Sequence, residues 1–321
     1  MCGADMARQD CERPTIVPCL CTAVRCSRIG HAVIPSSEPM LSAAPNPVAL
    51  ARDRLARHAA PFLWQEAARR MAERLPLLKL QPQQLLDIGC GWGDGLELLR
   101  QQYPGAAIRG LEPAPKLAAL ARRRVAGPWW KPARNRIEVE CASLLPPPGQ
   151  AQMLWSNLAL PWAGDPVVAF AAWNRALAAD GLLLFTTLGP DTLHELRQLG
   201  WPTPSFPDMH DLGDMLVGAG FAEPVMDMEM VHLSYASAEA ALAELAQLGR
   251  PPGSAVATGL RTPRQWRRLL QSLQGLAGSD GRVSLRFELV YGHAWQPSTV
   301  RAQDGVAVIG LEQLRSSLKS K

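Results

Sequence analysis

Apolar and polar positions along the chain fall into short alternating blocks. "VALARDRLARHAAPFLWQEAARRMAERL" (48–75) has apolar residues at helical spacing, with Pro61 breaking it in two. "QLLDIG" (84–89) is a short apolar run closed by an acid and a glycine, the pattern of a buried strand. A helix is expected in "GDGLELLRQQY", a strand in "AAIRGLE" (106–112) and a helix in "PAPKLAALARRRV". "RIEVEC" (136–141) and "QMLWSN" (152–157) follow as strands. "PVVAFAAWNRALAADG" reads as a helix with a glycine stop, and "LLLFTTL" (182–188) as a fifth strand.

Strand and helix alternate without hairpin signals up to this point, which implies a parallel, doubly wound sheet with its ligand rim at the strand C-termini. After residue 205 the pattern changes. "DMHDLGDMLVGAGF" is helical, and "PVMDMEMVHLSY" and "VSLRFELVYGHAW" are long strands able to pair antiparallel. The expected fold is α/β: a mostly parallel seven-stranded sheet, an antiparallel C-terminal strand pair and a small helical insertion at about 236–280. Residues 1–45 read as a disordered extension, 46–80 as a helical segment, 81–300 as the main domain and 301–321 as a tail. Met40 is a second possible start.

Composition narrows the class. The 321 residues are 47% hydrophobic and 19% charged, which suits a globular chain with a full core. No apolar stretch approaches the roughly 18 residues that span a bilayer, so no membrane association is expected. A net charge of +4 spread over scattered arginines lacks the basic stripe of a nucleic-acid binder. Cys2, Cys11, Cys19, Cys21 and Cys26 crowd the N-terminus without zinc-site spacing, and no metal site is expected. Cys90 and Cys141 read as small buried hydrophobes, consistent with a reducing, cytoplasmic setting.

The most informative local motif is "LLDIGCGWGDG" (85–95). Asp87 ends the strand, Gly89, Gly91 and Gly93 alternate, and a helix begins. Such glycines let a ligand approach the main chain at a helix N-terminus. The G-x-G-x-x-G spacing of nicotinamide cofactors fails, because Asp94 and Leu96 stand where the third glycine belongs. An acid before the loop suits the ammonium and sulfonium of S-adenosylmethionine instead. Glu112, 23 residues after Gly89, can accept both ribose hydroxyls. Together these features resemble the class I S-adenosylmethionine-dependent methyltransferases. That resemblance implies an adenine-binding acid after the third strand; Ser143 stands there, with Leu144 and Leu145 able to wall the ring. Trp92 is bulky for the glycine loop.

"SNLALPW", "TLGPDTLHELR", "DMHDLGDMLVGAGF", "PVMDMEM" and "VYGHAW" occur in this order and closely resemble the malonyl-acyl-carrier-protein O-methyltransferase family of biotin synthesis. The resemblance covers roughly residues 60–296. It implies methyl esterification of the free carboxyl of a malonyl thioester, on an acyl carrier protein or coenzyme A, using S-adenosylmethionine. Four positions depart from the family: Ser143, Pro161 where Gln is frequent, and Arg57 and His58 where a Tyr-Asp pair is common. Two alternatives stay open, a methyltransferase-like respiratory complex I assembly factor that hydroxylates arginine, and a catalytically silent scaffold.

A malonyl carboxylate is already ionised, so the reaction calls for positioning and water exclusion rather than a base. Asn157, after the fourth strand, is a candidate for orienting cofactor or substrate, against a plain turn role. In "FTTLGPDTLHELR", Pro190 suits a first helical turn, and His194, Arg197 and Trp201 share a face, with Arg197 the candidate carboxylate clamp. Leu193 and Leu196 are expected to pack on the sheet. "MHD" at His210 reads as helix-start chemistry, and His293 and Trp295 as core. Arg122–Arg124, or Arg261, Arg264, Arg267 and Arg268, are candidate docking faces for an acidic carrier.

Overall fold

The computed structural model describes residues 46–126, 137–252 and 262–297. The extension and tail expected from the sequence lie outside them. The described chain starts with α1 (Pro47–Leu55) and α2 (Phe62–Ala72). Asn46 caps α1 by accepting from the Val48 and Ala49 amides. Pro61 is the N-cap of α2, so the expected break between the two helices is present.

Next come β1 (Gln84–Ile88), α3 (Asp94–Gln102), β2 (Ala107–Leu111), α4 (Pro115–Val125) and β3 (Ile137–Glu140). They are followed by β4 (Ala151–Asn157), α5 (Pro166–Ala176) and β5 (Leu177–Leu188). A short α6 (His194–Gln198), α7 (Met209–Gly218), β6 (Ala222–Tyr235), α8 (Ala238–Leu248), α9 (Pro263–Gln274) and β7 (Val283–Trp295) complete the order. One sheet takes the order β3-β2-β1-β4-β5-β7-β6. Strands β1 to β5 pair in parallel, while β7 runs antiparallel between β5 and β6. This is the seven-stranded architecture the pattern predicts, including the antiparallel C-terminal pair. Chain order reverses between β1 and β4, and a doubly wound sheet opens a ligand crevice at that point.

Successive strand side chains enter opposite layers, as the two-residue repeat requires. Leu85, Leu184, Leu285, Phe287 and Leu289 pack with α2, α3, α8 and α9. Leu86, Ile88, Leu183, Phe185 and Val290 pack with α5 and α7. Helix α2 is also tied to the antiparallel edge. Arg70 pairs with Glu229, and Arg74 pairs with Asp227 at 2.8 Å. The Arg74 guanidinium stacks 3.8 Å from the Tyr291 ring centroid. Among the described residues, no helix is long and apolar enough to cross a membrane.

Two local expectations change. Helix α5 ends at Ala176, a turn before Gly181, and β5 starts earlier than expected. Leu177 pairs with Ala151, the register then jumps to Met153–Leu182, and Asp180 takes φ 58 within the bulge. Ladder pairing of Leu177 outcompetes continuation of the helix. Cys141 is exposed rather than buried, because it follows β3, the sheet edge; Cys90 is buried as expected.

Gly292 in β7 faces Phe185 in β5, and a β-carbon there would overlap the phenyl ring. Gly292→Ala is expected to lower unfolding stability by about 2 kcal/mol through overpacking. Urea denaturation checks this, and an unchanged midpoint would remove the packing argument.

Candidate functional site

Strand β1 delivers Asp87 to the rim, where it is fully buried. The loop after it turns through Gly89, Gly91 and Gly93 at φ 74, 54 and 89, conformations that strain any residue with a β-carbon. At Gly89 a β-carbon would also lie 2.5 Å from Ala159 Cβ. The Asp87 Oδ2 atom has no hydrogen-bond partner among the described residues, and neither has Trp155 Nε1. Both atoms lie 2.9 Å from where a Gly95 β-carbon would sit, so an acceptor and a donor converge beneath the start of α3. Burial pushes the Asp87 carboxyl well above the usual carboxylate range, and the Glu112 charge adds to the effect.

Glu112 follows β2 and is completely buried. Its Oε1 accepts from Arg52 Nε at 2.9 Å and from the Ala114 amide at 3.0 Å. Its Oε2 accepts from Arg52 Nη2 at 2.5 Å and from the Gly91 amide at 3.0 Å. Arg52 rides on α1, and its guanidinium lies 5.3 Å from the Trp162 ring centroid. Burial works to lower the guanidinium pKa, but the Glu112 charge and hydrogen bonds outweigh it, and the net shift is upward.

The N-terminal helices cover the rest of the crevice. Trp92 Nε1 donates to the His58 carbonyl at 3.0 Å, and its ring meets Trp64 edge-on at 5.9 Å. Asn157 donates to the Trp64 carbonyl at 2.9 Å and accepts from Thr186 Oγ1 at 2.8 Å. Trp92 is thus accommodated by the covering helix. Ser143 caps its own turn by accepting from the Leu145 amide at 3.1 Å and is exposed, while Leu144 is buried near Gly89. Asp87, Gly89, Gly91 and Asn157 line one small cavity of about 20 Å³. Its chemistry fits the expected cofactor, with an unpartnered buried acid for an ammonium and a glycine cradle, while Glu112, the acid expected to take hydroxyl donors, lies outside its lining and is hydrogen-bonded to the Gly91 amide of the same loop.

A second cavity of about 560 Å³ opens beside the first, and Trp64 lines both. Leu63, Leu158, Leu188, Leu196, Trp201 and Phe287 give it an apolar wall. Arg54, Arg57, His58 and Arg250 also line it, and its described lining contains no aspartate or glutamate. Arg57 and His58, the positions that departed from the family pattern, therefore stand at this cavity.

The segment 185–197 is arranged differently from the expectation. Residues 190–193 form a turn, and α6 spans only five residues. Glu288 of β7 takes the first-turn donor, accepting from the Asp191 amide at 2.7 Å. Leu193 and Leu196 line the cavity, whereas His194 and Arg197 are not among its lining residues. Arg197 donates to the Thr192 carbonyl at 3.0 Å and lies 4.0 Å from Asp191. The short helix, entered through Leu193 at φ 60, turns the leucines inward and the arginine back on its own turn. The "MHD" segment is a helix start as expected, with Asp208 accepting from the His210 amide at 2.8 Å. Among the described residues no cluster of three His, Cys, Asp or Glu could hold a metal.

Sequence reasoning passed over Arg52. A signal existed: Val48, Arg52 and Leu55 are spaced on one helix face, so a charge occupies a position where periodicity expects burial. Arg250 had no such signal, since only the fold brings it to the cavity.

Comparison with known proteins agrees with this geometry. A family model described as "Methyltransferase domain" matches residues 86–185. The chain is 41% identical over 263 residues to a malonyl-(acyl-carrier protein) O-methyltransferase of Gallionella capsiferriformans, covering 78% of this chain and 90% of that one. It is 39% identical over 251 residues to the protein of the same name from Laribacter hongkongensis, covering 74% and 84%. The YcgJ protein of Bacillus subtilis matches in structure with a TM-score of 0.51 at 12% identity, covering 72% of this chain and all of that one.

Asp87 yields a pH test. Its folded pKa lies above the unfolded value of about 3.9, so the folded state binds the extra proton, and stability falls as pH rises from there toward the folded pKa. Asp87→Asn should therefore melt higher than the parent at pH 8 without cofactor, with the gap closing toward pH 4. A gap independent of pH in thermal melts would contradict the assignment.

Proposed function

We propose, for a chain that belongs to the malonyl-(acyl-carrier protein) O-methyltransferase family, that it esterifies the free carboxylate of a malonyl thioester. The enzyme is an S-adenosylmethionine-dependent methyltransferase of biotin synthesis. The cofactor supplies an electrophilic methyl on a sulfonium. Asp87, the loop glycines and Glu112 are the residues that would hold it, with Leu144 against the ring. Asn157 is fixed at both ends of its amide and sets the rim between the two cavities.

One observation carries the substrate reading: the large apolar cavity has three arginines and a histidine but no carboxylate in its described lining. Its volume is in the range of about 300–1,000 Å³ usual for small-molecule sites. These cations are exposed, so solvent screens them in part, but with no carboxylate in the described lining to offset them they still attract an anion toward the apolar wall. Arg57 and Arg250 draw the malonyl carboxylate into the cavity, and the leucine and tryptophan walls shield it from competing water. The ionised carboxylate is itself the nucleophile, so no side chain has to take a proton. The acyl chain becomes uncharged on esterification and loses its hold on these arginines, which favours release.

For the carrier, α9 offers the better docking face. Arg264, Arg267 and Arg268 are exposed there, beside Trp266 of the cavity lining. Arg122 is spent on the Val139 carbonyl at 2.8 Å, and Arg124 on Asp94 at 2.7 Å. Arg261 lies outside the described residues.

The direct test is transfer of a labelled methyl to malonyl carrier protein. The expected product is the methyl ester; cofactor binding without ester formation would sink the substrate assignment. Arg57→Ala with Arg250→Ala should raise KM for the malonyl thioester by roughly tenfold or more, the scale of losing a hydrogen bond to a charged group. Cofactor affinity should stay unchanged. Arg197→Ala should stay within about twofold of the parent in KM, as expected of a surface change. A large KM effect at Arg197 alone would reverse this allocation.

A further inference from the structure

A carboxylate offers about four lone-pair positions, and at Glu112 four donors fill them. Two are the Gly91 and Ala114 amides, and two are Nε and Nη2 of Arg52. None is left for a ribose. The two amides belong to the glycine loop and to the N-cap of α4, so they stay while the rim stays folded. Arg52 is the removable pair: a planar fork supplies two donors, the same number as a vicinal diol. Helix α1 buries only Arg52 and Leu55 fully; besides the Glu112 pair it is held by Asp53, which accepts from the Lys116 amide at 3.0 Å, by Arg52 against the Trp162 ring and the Gly89 carbonyl, and by apolar packing of Leu55, Val48 and Ala51.

Space gives the same answer independently. The crevice cavity of about 20 Å³ admits a water and no more, far short of the hundreds of Å³ that a nucleoside ligand fills. The two hydrogen bonds from Trp92 to His58 and from Asn157 to Trp64 close the same opening from the covering segment.

We propose that Arg52 and the cofactor ribose compete for Glu112, so that α1 is a latch over the cofactor-free crevice and is displaced when the cofactor enters. This rests on reading the crevice as the cofactor site. Two hydroxyl donors replace two guanidinium donors, one for one. Charge is also conserved at the site: a guanidinium leaves, and a ligand with sulfonium, ammonium and carboxylate brings a net single positive charge. The net charge of the crevice is therefore the same in both states. Arg52 Nη1, which has no partner among the described residues, reaches water in the released state.

Hydrogen exchange of the wild-type enzyme with and without saturating S-adenosylmethionine tests the latch directly. The amides of 48–55 should exchange faster with the cofactor bound, while those of the glycine loop and the start of α3 slow. Slowing of the loop with unchanged or slower exchange in α1 overturns the latch and leaves the cofactor site standing. No change in the loop despite binding overturns both. In calorimetric titration Arg52→Gln should bind S-adenosylmethionine roughly tenfold more tightly, because the closed state no longer taxes the apparent affinity. Equal or weaker binding by a folded variant overturns the competition. If that variant does not fold, exchange in the wild type decides.

Discussion

A carboxylate buried completely at the end of a parallel strand has to be paired, since an isolated charge in that position costs several kcal/mol. Glu112 is such a group, and much of the site's architecture follows from it. The glycine loop turns so that the Gly91 amide reaches one oxygen, and the chain entering α4 presents the Ala114 amide to the other. The remaining demand is met from outside the sheet, by Arg52 on the first helix. Helices that pattern analysis treats as an appendage are therefore joined to the rim by the most buried ion pair of the described chain.

That covering layer links two environments of opposite character. The crevice holds two buried acids, Asp87 and Glu112. The neighbouring cavity holds Arg54, Arg57 and Arg250 against apolar walls. Trp64 separates them, and Asn157 and Trp92 bind the backbone of the same segment. Two neighbouring cavities thus carry opposite charge character, one acidic and one basic. The 185–197 segment contributes shape to this arrangement. Glu288 holds its turn to β7, which points Leu193 and Leu196 into the cavity.

The alternation of short apolar runs with helical stretches made the parallel sheet legible, because its central strands β1, β4 and β5 are buried on both faces and read as apolar blocks. The antiparallel pair was legible for a different reason: its two strands are long apolar-polar runs separated by helical sequence. The glycine loop and Glu112 were legible because their spacing is set within one βαβ unit, where local chain geometry leaves little choice. Arg197 turns back on its own loop rather than lining the cavity, because the segment makes only one turn of helix with Leu193 left-handed at its start, which helical spacing could not show. Cys141 was misread because burial on an edge strand depends on neighbours that the local sequence does not contain.

The sequence by itself determined the order of strands and helices, the sheet they form and the acids on its rim, since these follow from periodicities and spacings within a few tens of residues. Which cation meets the buried acid Glu112, and which cations share a cavity, was decided only by the tertiary structure. Arg52 and Arg57 are five residues apart, but each lies far along the chain from what it faces: Arg52 from Glu112, and Arg57 from Arg250, which lines the same cavity. Charge pairing between distant segments leaves no period in a sequence, and it becomes readable only once burial shows which groups cannot remain alone.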